Sequence, residues 1–283
     1  MKKDILVGGL LMLCFLVGLS SCGTSEGNAG QQDLPLLVKA ETIMTTPVVT
    51  EKIINPIVMD SSITNDYLMG KFVPEKHADF VEVSSEHASR KGMFLRKDTY
   101  AAFVKMAEAA KADGVEFIIK SATRNFDAQK VIWEGKWNGT RLLEGKENAR
   151  KKYPLKKDRA LKILEYSSMP GTSRHHWGTD FDVNAFVNSY FEQGKGLKEY
   201  NWLTAHAAEY GFCQPYTPKG AERPDGYNEE KWHWSYLPVS IKLTQQYQLR
   251  LDNQSITGFV GSETAADIDV VRKYVLGINS GCL

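Results

Sequence analysis

Residues 173–182 read SRHHWGTDFD and bring two imidazoles and two carboxylates within ten residues. From Gly178 to Phe186 the residues alternate in polarity, which predicts a strand. Residues 230–233, EKWH, add a further Glu and His, and Lys231–Leu237 predicts a second strand. The His and acidic side chains are therefore expected on two short strand segments that lie about fifty residues apart in the chain.

These side chains are of the types that bind a catalytic metal. Two imidazoles and one carboxylate are a common ligand set for zinc, which keeps a fourth position for water and lowers the pKa of that water. Glu230 could take the proton as the water attacks a carbonyl. We expect a bend or loop before Trp232, because residues i and i+3 of a regular strand cannot both face one metal.

The residue types alone leave another interpretation open. Histidine-rich stretches also occur as surface loops or as hydrogen-bonded core groups. Adjacent residues of an extended chain point in opposite directions, so His175 and His176 cannot easily bind one metal together. One of the two is expected to be only a neighbour of the site.

Composition and charge restrict the class of protein. A chain of 283 residues with 42% apolar and 24% charged residues is typical of an ordinary folded globule with one large domain or two small ones. It excludes a mainly disordered, collagen-like or multi-span membrane chain. Lys and Arg number 35 against 34 Asp and Glu, a formal charge of +1, so no basic excess is present to hold nucleic acid. No nucleic-acid partner is expected, and no oligomeric state is predicted.

Helices and further strands are predicted around the two central stretches. Apolar residues at helical spacing, followed by glycine where a helix ends, give the helices, and β-rich runs give the strands. Helices are expected over Lys97–Gly114, Asp127–Trp137, Leu197–Tyr210 and Glu263–Leu276, and another strand over Val115–Lys120. The basic run at 149–162 is interpreted as a solvated surface, with contact to anionic envelope polymers as the alternative. The mixture lacks a regular βαβ repeat, which predicts an α+β domain.

The N-terminal segment is typical of a secretory signal peptide. A basic head at Lys2 and Lys3 precedes an apolar run of about 15 residues, short of the roughly 20 that span a bilayer as a helix. The run ends in LSSC at 19–22, which resembles a bacterial lipobox and implies a lipid anchor on Cys22. An ordinary signal peptide with an incidental cysteine is the alternative. We expect a protein of the bacterial cell envelope, lipid-anchored to a membrane and facing the periplasm.

Two cysteines would remain as thiols in such a mature chain. Cys213 and Cys282 could form a disulfide in an oxidising compartment, or they could be two unpaired buried thiols. The sequence does not show whether their Cα atoms approach within about 7 Å, so both alternatives stay open.

Four motifs in order resemble the VanY-type D-alanyl-D-alanine carboxypeptidases, zinc enzymes that share a fold with lysostaphin and the hedgehog signalling domain. The central stretch, preceded by Pro170-Gly171, is similar to the family signature SxHxxGxAxD. Residues 121–129 (SATRNFDAQ) resemble SGYRSxxxQ, and residues 207–212 (AAEYGF) resemble the helix end before the last motif. Residues 226–236 (GYNEEKWHWSY) are similar to GYxxExWHxxY. The resemblance covers roughly residues 95–240.

The resemblance implies a fold and a metal centre. The fold would be a small antiparallel sheet with flanking helices around a zinc cleft. His175, Asp182 and His233 would hold one zinc ion. Glu230 would be the general base that activates water and then passes its proton to the leaving amine.

The resemblance also implies residues that act on the substrate. Arg124 would stabilise the oxyanion that develops on the attacked carbonyl, and Gln129 and Ser173 would help position a terminal D-alanine. Asp180 stands where the family signature has a small Ala. It could compete as a ligand, bind the substrate's ammonium group or orient a zinc-bound imidazole, and we group it with the substrate-binding residues.

The expected function is hydrolysis of the terminal D-alanine of peptidoglycan stem peptides, which would be the partner of the cleft. LD-carboxypeptidase or stem-peptide endopeptidase activity of the same fold is the first alternative. The second is a non-catalytic zinc-containing protein that binds the cell wall. The expected organisation of the chain is a signal peptide at 1–21, a tether after the lipidated Cys at 22–34, an N-terminal wrap at 35–94, the peptidase core at 95–240 and a C-terminal extension with one helix at 241–283.

Overall fold

The computed structural model describes residues 57–283. The predicted signal peptide, Cys22 as the predicted site of lipidation, the predicted tether and the predicted wrap as far as residue 56 lie outside the described residues. In the part that is described, every helix is too short or too polar to cross a membrane.

Short helices and strands alternate along the described chain. The α-helices, α1 to α8 in order, are Asn65–Leu68, Lys97–Ala112, Phe126–Asn138, Ala149–Lys152, Lys156–Ile163, Gly194–His206, Leu237–Arg250 and Thr264–Ile268. The strands, β1 to β6 in order, are Phe80–Glu82, Phe94–Arg96, Ile119–Ser121, Asp180–Val183, Phe212–Cys213 and His233–Tyr236. The predicted α+β class is confirmed, although the strands are shorter than the sequence suggested.

A four-stranded antiparallel sheet in the order β3-β4-β6-β5 carries the residues of interest. In the register of β4 and β6, Asp182 lies opposite His233 and Asp180 opposite Ser235. Side chains alternate across a strand, so these four residues share one face of the sheet. The other face carries Phe181 and its neighbours into the core. The alternation seen in the sequence is therefore the division between a polar face and an apolar face.

The apolar face of the sheet packs on helix α2. Phe181 lies between Phe103 of α2 and Phe212 of β5, with ring centroids 5.1 and 5.2 Å away and the rings close to perpendicular. Fully burying a side chain of this size stabilises the fold by roughly 1.5–3 kcal/mol. This packing fixes the strand whose opposite face holds Asp180 and Asp182.

A second core lies on the side of α3, α5 and the C-terminal residues. It contains Trp133 and Trp137 of α3, with ring centroids 6.0 Å apart, and Phe259, which meets Trp133 edge to face. Tyr247 of α7 is fully buried there, and its hydroxyl donates to the backbone carbonyl of Gly171 at 2.8 Å. Residues after 240 therefore build part of the core and hold the turn that precedes the central stretch.

Helix α7 was not predicted from the sequence. Its buried positions include Leu243 and Tyr247 but also the polar residues Ser240, Thr244 and Gln246. An inward face that is half polar hides the apolar periodicity on which helix prediction depends. These polar groups are used inside the protein, as Gln246 shows by bonding to backbone groups of residues 58 and 60.

The predicted helix Glu263–Leu276 is replaced by two shorter pieces. Helix α8 ends where Asp269 adopts a left-handed backbone with φ of 59°. A short π-helix at Val271–Val275 follows. The Asp269 carboxylate accepts hydrogen bonds from Asn253 and Arg272, which stabilise the break. Such side-chain contacts are not visible in the apolar pattern of the segment.

A disulfide joins Cys213 of β5 to Cys282 near the C-terminus, with Cα atoms 5.8 Å apart and a sequence separation of 69. The sequence left open whether these cysteines form a disulfide or are two unpaired buried thiols, and the structure shows the disulfide. Closing a loop of this length typically stabilises a protein by about 2–4 kcal/mol. The bond fastens the last residues of the chain to the strand next to β6.

Candidate metal centre

Three side chains converge on one point at the polar face of the sheet. Asp182 of β4 and His233 of β6 are opposite each other in the strand register, and His175 lies on the 3₁₀ turn Arg174–Trp177 that leads into β4. His233 Nδ1 is 3.1 Å from Asp182 Oδ1, and His175 Nε2 is 3.3 Å from Asp182 Oδ2. All three are at most 4% exposed, and their donor atoms lie within 4.8 Å of one another.

These residues fit a zinc ion. Ligands at about 2.0–2.1 Å in tetrahedral geometry have donor atoms roughly 3.3–3.4 Å apart, close to the distances found here. Asp182 Oδ1 is buried and has no hydrogen-bond partner in the described part of the chain, as expected of an oxygen reserved for a metal. Two imidazoles and one carboxylate are a usual donor set for catalytic zinc. The predicted zinc cofactor is confirmed by this site.

The orientation of His175 is set by a backbone contact. Its Nδ1 lies 2.9 Å from the carbonyl of Ala122 and donates to it, which leaves Nε2 as the free donor atom. The ring stands nearly perpendicular to that of His233, at an interplanar angle of 87°. Burial lowers the pKa of His175, so the imidazole is held in the neutral form that a metal requires.

His176 is a neighbour of the site and not a ligand. Its Nε2 accepts from the backbone N–H of Gly171 at 3.0 Å, and its Nδ1 contacts the carbonyl of Arg124. Burial lowers its pKa to about 3, so the ring is neutral. His176 therefore connects the two loops that carry His175 and Arg124. This agrees with the expectation that one of the two adjacent histidines is only a neighbour of the site.

Glu230 lies in the loop just before β6. Its backbone N–H donates to the carbonyl of Tyr216 at 2.9 Å, and the turn brings Glu230 Oε2 to 3.5 Å from His233 Nδ1. This is the predicted bend that lets residues i and i+3 converge. Burial raises the pKa of Glu230 above its usual value, while His233 and Arg124 oppose that rise. A buried carboxylate next to the metal position is suited to accept a proton and return it.

Arg124 follows β3 and is held over the metal centre. Its Nη1 is 3.7 Å from Asp182 Oδ2 and also bonds the hydroxyl of Ser121, while its Nε donates to Gln129 Oε1 at 3.0 Å. Asn125 caps α3 by accepting from the N–H of Ala128, which fixes the loop. The guanidinium is thus a fixed cation beside the ligands, where developing negative charge would be stabilised.

The structure gives Gln129 and Ser173 surroundings that differ from the expectation for substrate-binding residues. Gln129 lines the cleft but is 1% exposed, and its amide is engaged at both ends, since Nε2 also donates to the carbonyl of Ser168 at 2.8 Å. Ser173 is 1% exposed and is not among the residues that line the cleft. Gln129 is therefore arranged to position Arg124, and Ser173 lies beneath the cleft surface.

Asp180 does not reach the cleft, which corrects its assignment to substrate binding. It is fully buried, and its Oδ2 accepts from His233 Nε2 at 2.9 Å and from Arg174 Nε at 3.0 Å. Its Oδ1 accepts from the hydroxyls of Thr179 and Ser235. Of the three roles considered for Asp180, the geometry matches orientation of a ligand imidazole, because the bond to Nε2 directs His233 Nδ1 towards the metal position.

The charge of Asp180 is compensated within the protein. Burial alone would raise the pKa of Asp180, but Arg174 and the hydrogen bonds from His233 and Thr179 hold it well below its usual value. Arg174 is also buried and bonds Ser235 and Thr244 with its remaining nitrogens. Asp180 and Arg174 therefore form a fully buried ion pair behind the metal centre.

The metal centre forms the floor of a cleft of about 880 Å³. Besides the predicted residues, its walls include Lys136 of α3 and Tyr216, which were not predicted. The Tyr216 ring lies 4.7 Å from that of His233. Lys136 had a visible signal, because it is two helical turns after Gln129 and so lies on the same face of α3. Tyr216 had none, since it reaches the site through a loop.

The class of the protein follows from this arrangement. A buried His-Asp-His site with a glutamate and an arginine beside it, open to a cleft on one side, has the donor set and the accessible side of a mononuclear catalytic zinc site. The family model described as VanY, D-alanyl-D-alanine carboxypeptidase, matches residues 92–239, just over half of the chain. The chain belongs to this family.

Individual relatives agree with the family. The chain is 29% identical over 175 residues to the putative carboxypeptidase YodJ of Bacillus subtilis, covering 61% of this chain and 57% of that protein. It is 30% identical over 142 residues to a D-alanyl-D-alanine carboxypeptidase of Enterococcus faecalis, covering 50% and 47%. The chain thus spans about half the length of the curated relatives that it matches.

Solved structures give a more distant likeness. VanYB in complex with D-alanine-D-alanine is 24% identical, with a TM-score of 0.45 over 62% of this chain and 87% of that one. The LdcB LD-carboxypeptidase is 22% identical, with a TM-score of 0.44 over 68% and 78%.

Proposed function

We propose that this protein is a zinc-dependent carboxypeptidase that removes the terminal D-alanine from peptidoglycan stem peptides, converting pentapeptide to tetrapeptide. The observation that carries the proposal is the position of Glu230, buried 3.5 Å from the ligand His233 and on the wall of an open cleft. A structural zinc site needs neither such a carboxylate nor the nearby Arg124. Membership of the VanY family supports the choice of a D-alanyl peptide as substrate.

The residues of the cleft have separate roles in the proposed reaction. Zinc, when bound by His175, Asp182 and His233, supplies a Lewis acid that polarises the substrate carbonyl. Glu230 takes a proton from the attacking water and delivers it to the amine that leaves. Arg124 faces the charge that develops on the carbonyl oxygen and stabilises it more in the transition state than in the ground state.

A digest of purified muropeptides tests the proposal. The mature protein, loaded with zinc, is expected to release D-alanine from stem pentapeptides, with tetrapeptides identified by mass spectrometry. Treatment with a chelator should stop the release, and added zinc should restore it. Release of the terminal D-alanine from tetrapeptides, where it is bonded to an L-configured centre, would instead identify an LD-carboxypeptidase. Cleavage of an internal bond of the stem peptide would identify an endopeptidase. Absence of any zinc-dependent product would contradict the proposal.

We also propose that the protein is anchored in the bacterial envelope by a lipid on Cys22, facing the periplasm. The support is the N-terminal sequence, in which a short apolar run ends in LSSC at 19–22. Cells expressing the full chain and fed labelled palmitate should yield a labelled protein in the membrane fraction. Cys22→Ser should remove the label, with Cys14→Ser as the matched control that keeps it. Equal labelling of the Cys22→Ser chain would exclude the anchor.

A further inference from the structure

Beyond the metal centre, the charged residues that line the cleft are mainly cations. Three acidic residues are present, but Asp182 and Glu230 belong to the metal centre, which leaves Glu144. Leaving out Arg124, which lies beside the metal ligands, the cations of the lining are Arg90, Lys120, Lys136 and Arg141. A cleft lined by one sign of charge attracts ligands of the opposite sign. The cleft is therefore suited to a substrate that carries free carboxylates.

Lys136 is the cation that helix α3 builds into the cleft wall. It lies two helical turns after Gln129 and so on the same face of α3. Ser167, which Lys136 contacts, is adjacent in the chain to Ser168, whose carbonyl accepts from Gln129. The side chain is partly buried, and its Nζ donates to the hydroxyl of Ser167. Within residues 57–283 it makes no salt bridge.

The surroundings of Lys136 disfavour its charge. Burial lowers the pKa of Lys136 to about 8, and Arg141 and Arg124 act in the same direction, opposed by Glu230 and Glu144. A partly buried ammonium without an ion-pair partner gains from the arrival of a carboxylate. Lys136 is therefore positioned to bind an anionic group of the ligand.

The polar side chains that the sequence motifs supply at this site are bonded to protein groups or lie beneath the cleft surface. Both ends of the Gln129 amide have partners, Ser173 is beneath the surface, and Arg124 is turned to Asp182 and the metal centre. A peptide that presents its last bond to Glu230 still has one charged group to place, its terminal carboxylate. Lys136 lies on the same helix face as Gln129. Unlike Arg124, it does not contact a residue of the metal centre.

We propose that Lys136 binds the C-terminal carboxylate of the peptide and thereby makes the cleft selective for a free chain end. The inference rests on the proposed carboxypeptidase function and names the group that recognises its substrate. A charge-assisted hydrogen bond of this kind accounts for a preference of about 10- to 100-fold for the acid over the neutral amide.

Calorimetric binding to the full chain, zinc-loaded and carrying Glu230→Gln to prevent turnover, tests the inference. The ligands are an acylated L-Lys-D-Ala-D-Ala tripeptide and the same tripeptide with a C-terminal amide. We expect the acid to bind about 10- to 100-fold more tightly than the amide. Adding Lys136→Met should weaken binding of the acid to the level of the amide and leave binding of the amide unchanged. Lys136→Arg should keep most of the preference.

Arg141→Met is the matched control, because Arg141 is an exposed cation of the same cleft. It should keep the preference for the acid. An acid preference that survives Lys136→Met, or that disappears in Arg141→Met instead, overturns the role of Lys136 and leaves the carboxypeptidase proposal intact. If neither tripeptide binds to the zinc-loaded chain, the proposed function itself fails. Thermal unfolding of each variant shows that the comparison is made between folded proteins.

Discussion

Glu230→Gln is expected to lower the kcat for D-alanine release by about 10²- to 10⁴-fold, because the amide cannot accept the proton of the attacking water. The replacement keeps the size of the side chain and leaves the ligands His175, Asp182 and His233 in place. Zinc content, measured by atomic absorption, should therefore stay at one ion per chain. Peptide binding should change little, so that the loss falls on kcat and not on KM.

Glu144→Gln provides the matched control for this variant. Glu144 is a second glutamate in the lining of the cleft, but it is exposed and is not among the side chains that converge on the metal. Its replacement should leave kcat within a few-fold of the wild-type value. A Glu230→Gln protein that contains zinc and still works at the normal rate would remove Glu230 from the mechanism.

Asp180→Ala is expected to have two separable effects. It removes the acceptor that orients His233, which should weaken zinc binding by about 10- to 100-fold. It also leaves the buried Arg174 without its carboxylate, which should lower the free energy of unfolding by about 3–5 kcal/mol. Zinc affinity is measured by competition with a chelating dye, and stability by denaturant unfolding of the metal-free protein.

The double variant Asp180→Ala, Arg174→Met separates these effects. Removing both partners of a buried ion pair is often close to neutral, so the double variant should regain most of the stability. It cannot regain the hydrogen bond to His233, so its zinc affinity should stay low. Wild-type zinc affinity in the folded double variant would show that Asp180 serves the packing of Arg174 and does not position the ligand.

The ligands of the metal centre were expected from the resemblance of the motifs to the VanY-type family, and local rules account for part of their convergence. Strand alternation places Asp180 and Asp182 on one face, and the turn before β6 brings Glu230 to His233. The α+β class followed from the order of elements. Helix α2 was predicted closely because its buried face is apolar apart from Thr99 in the first turn.

Features that depend on distant contacts could not be predicted in this way. Asp180 was grouped with substrate-binding residues because nothing in the sequence shows that Arg174, His233 and two hydroxyls occupy all its oxygens. The disulfide between Cys213 and Cys282 depends on how the chain returns to β5 after 69 residues. Helix α7 was not predicted because its inward face carries hydroxyl and amide groups, which interrupt the apolar pattern.

Helix α7 limits how far the catalytic segment can be separated from the rest of the chain. The family match ends at residue 239, within the first turn of this helix. A fragment cut there would lose the Tyr247 hydroxyl that holds Gly171 and the Thr244 hydroxyl that meets Arg174. It would also lose the cystine that ties the C-terminus to β5. A transplant or truncation that follows the family boundary would therefore carry the zinc ligands without the residues that hold them in place.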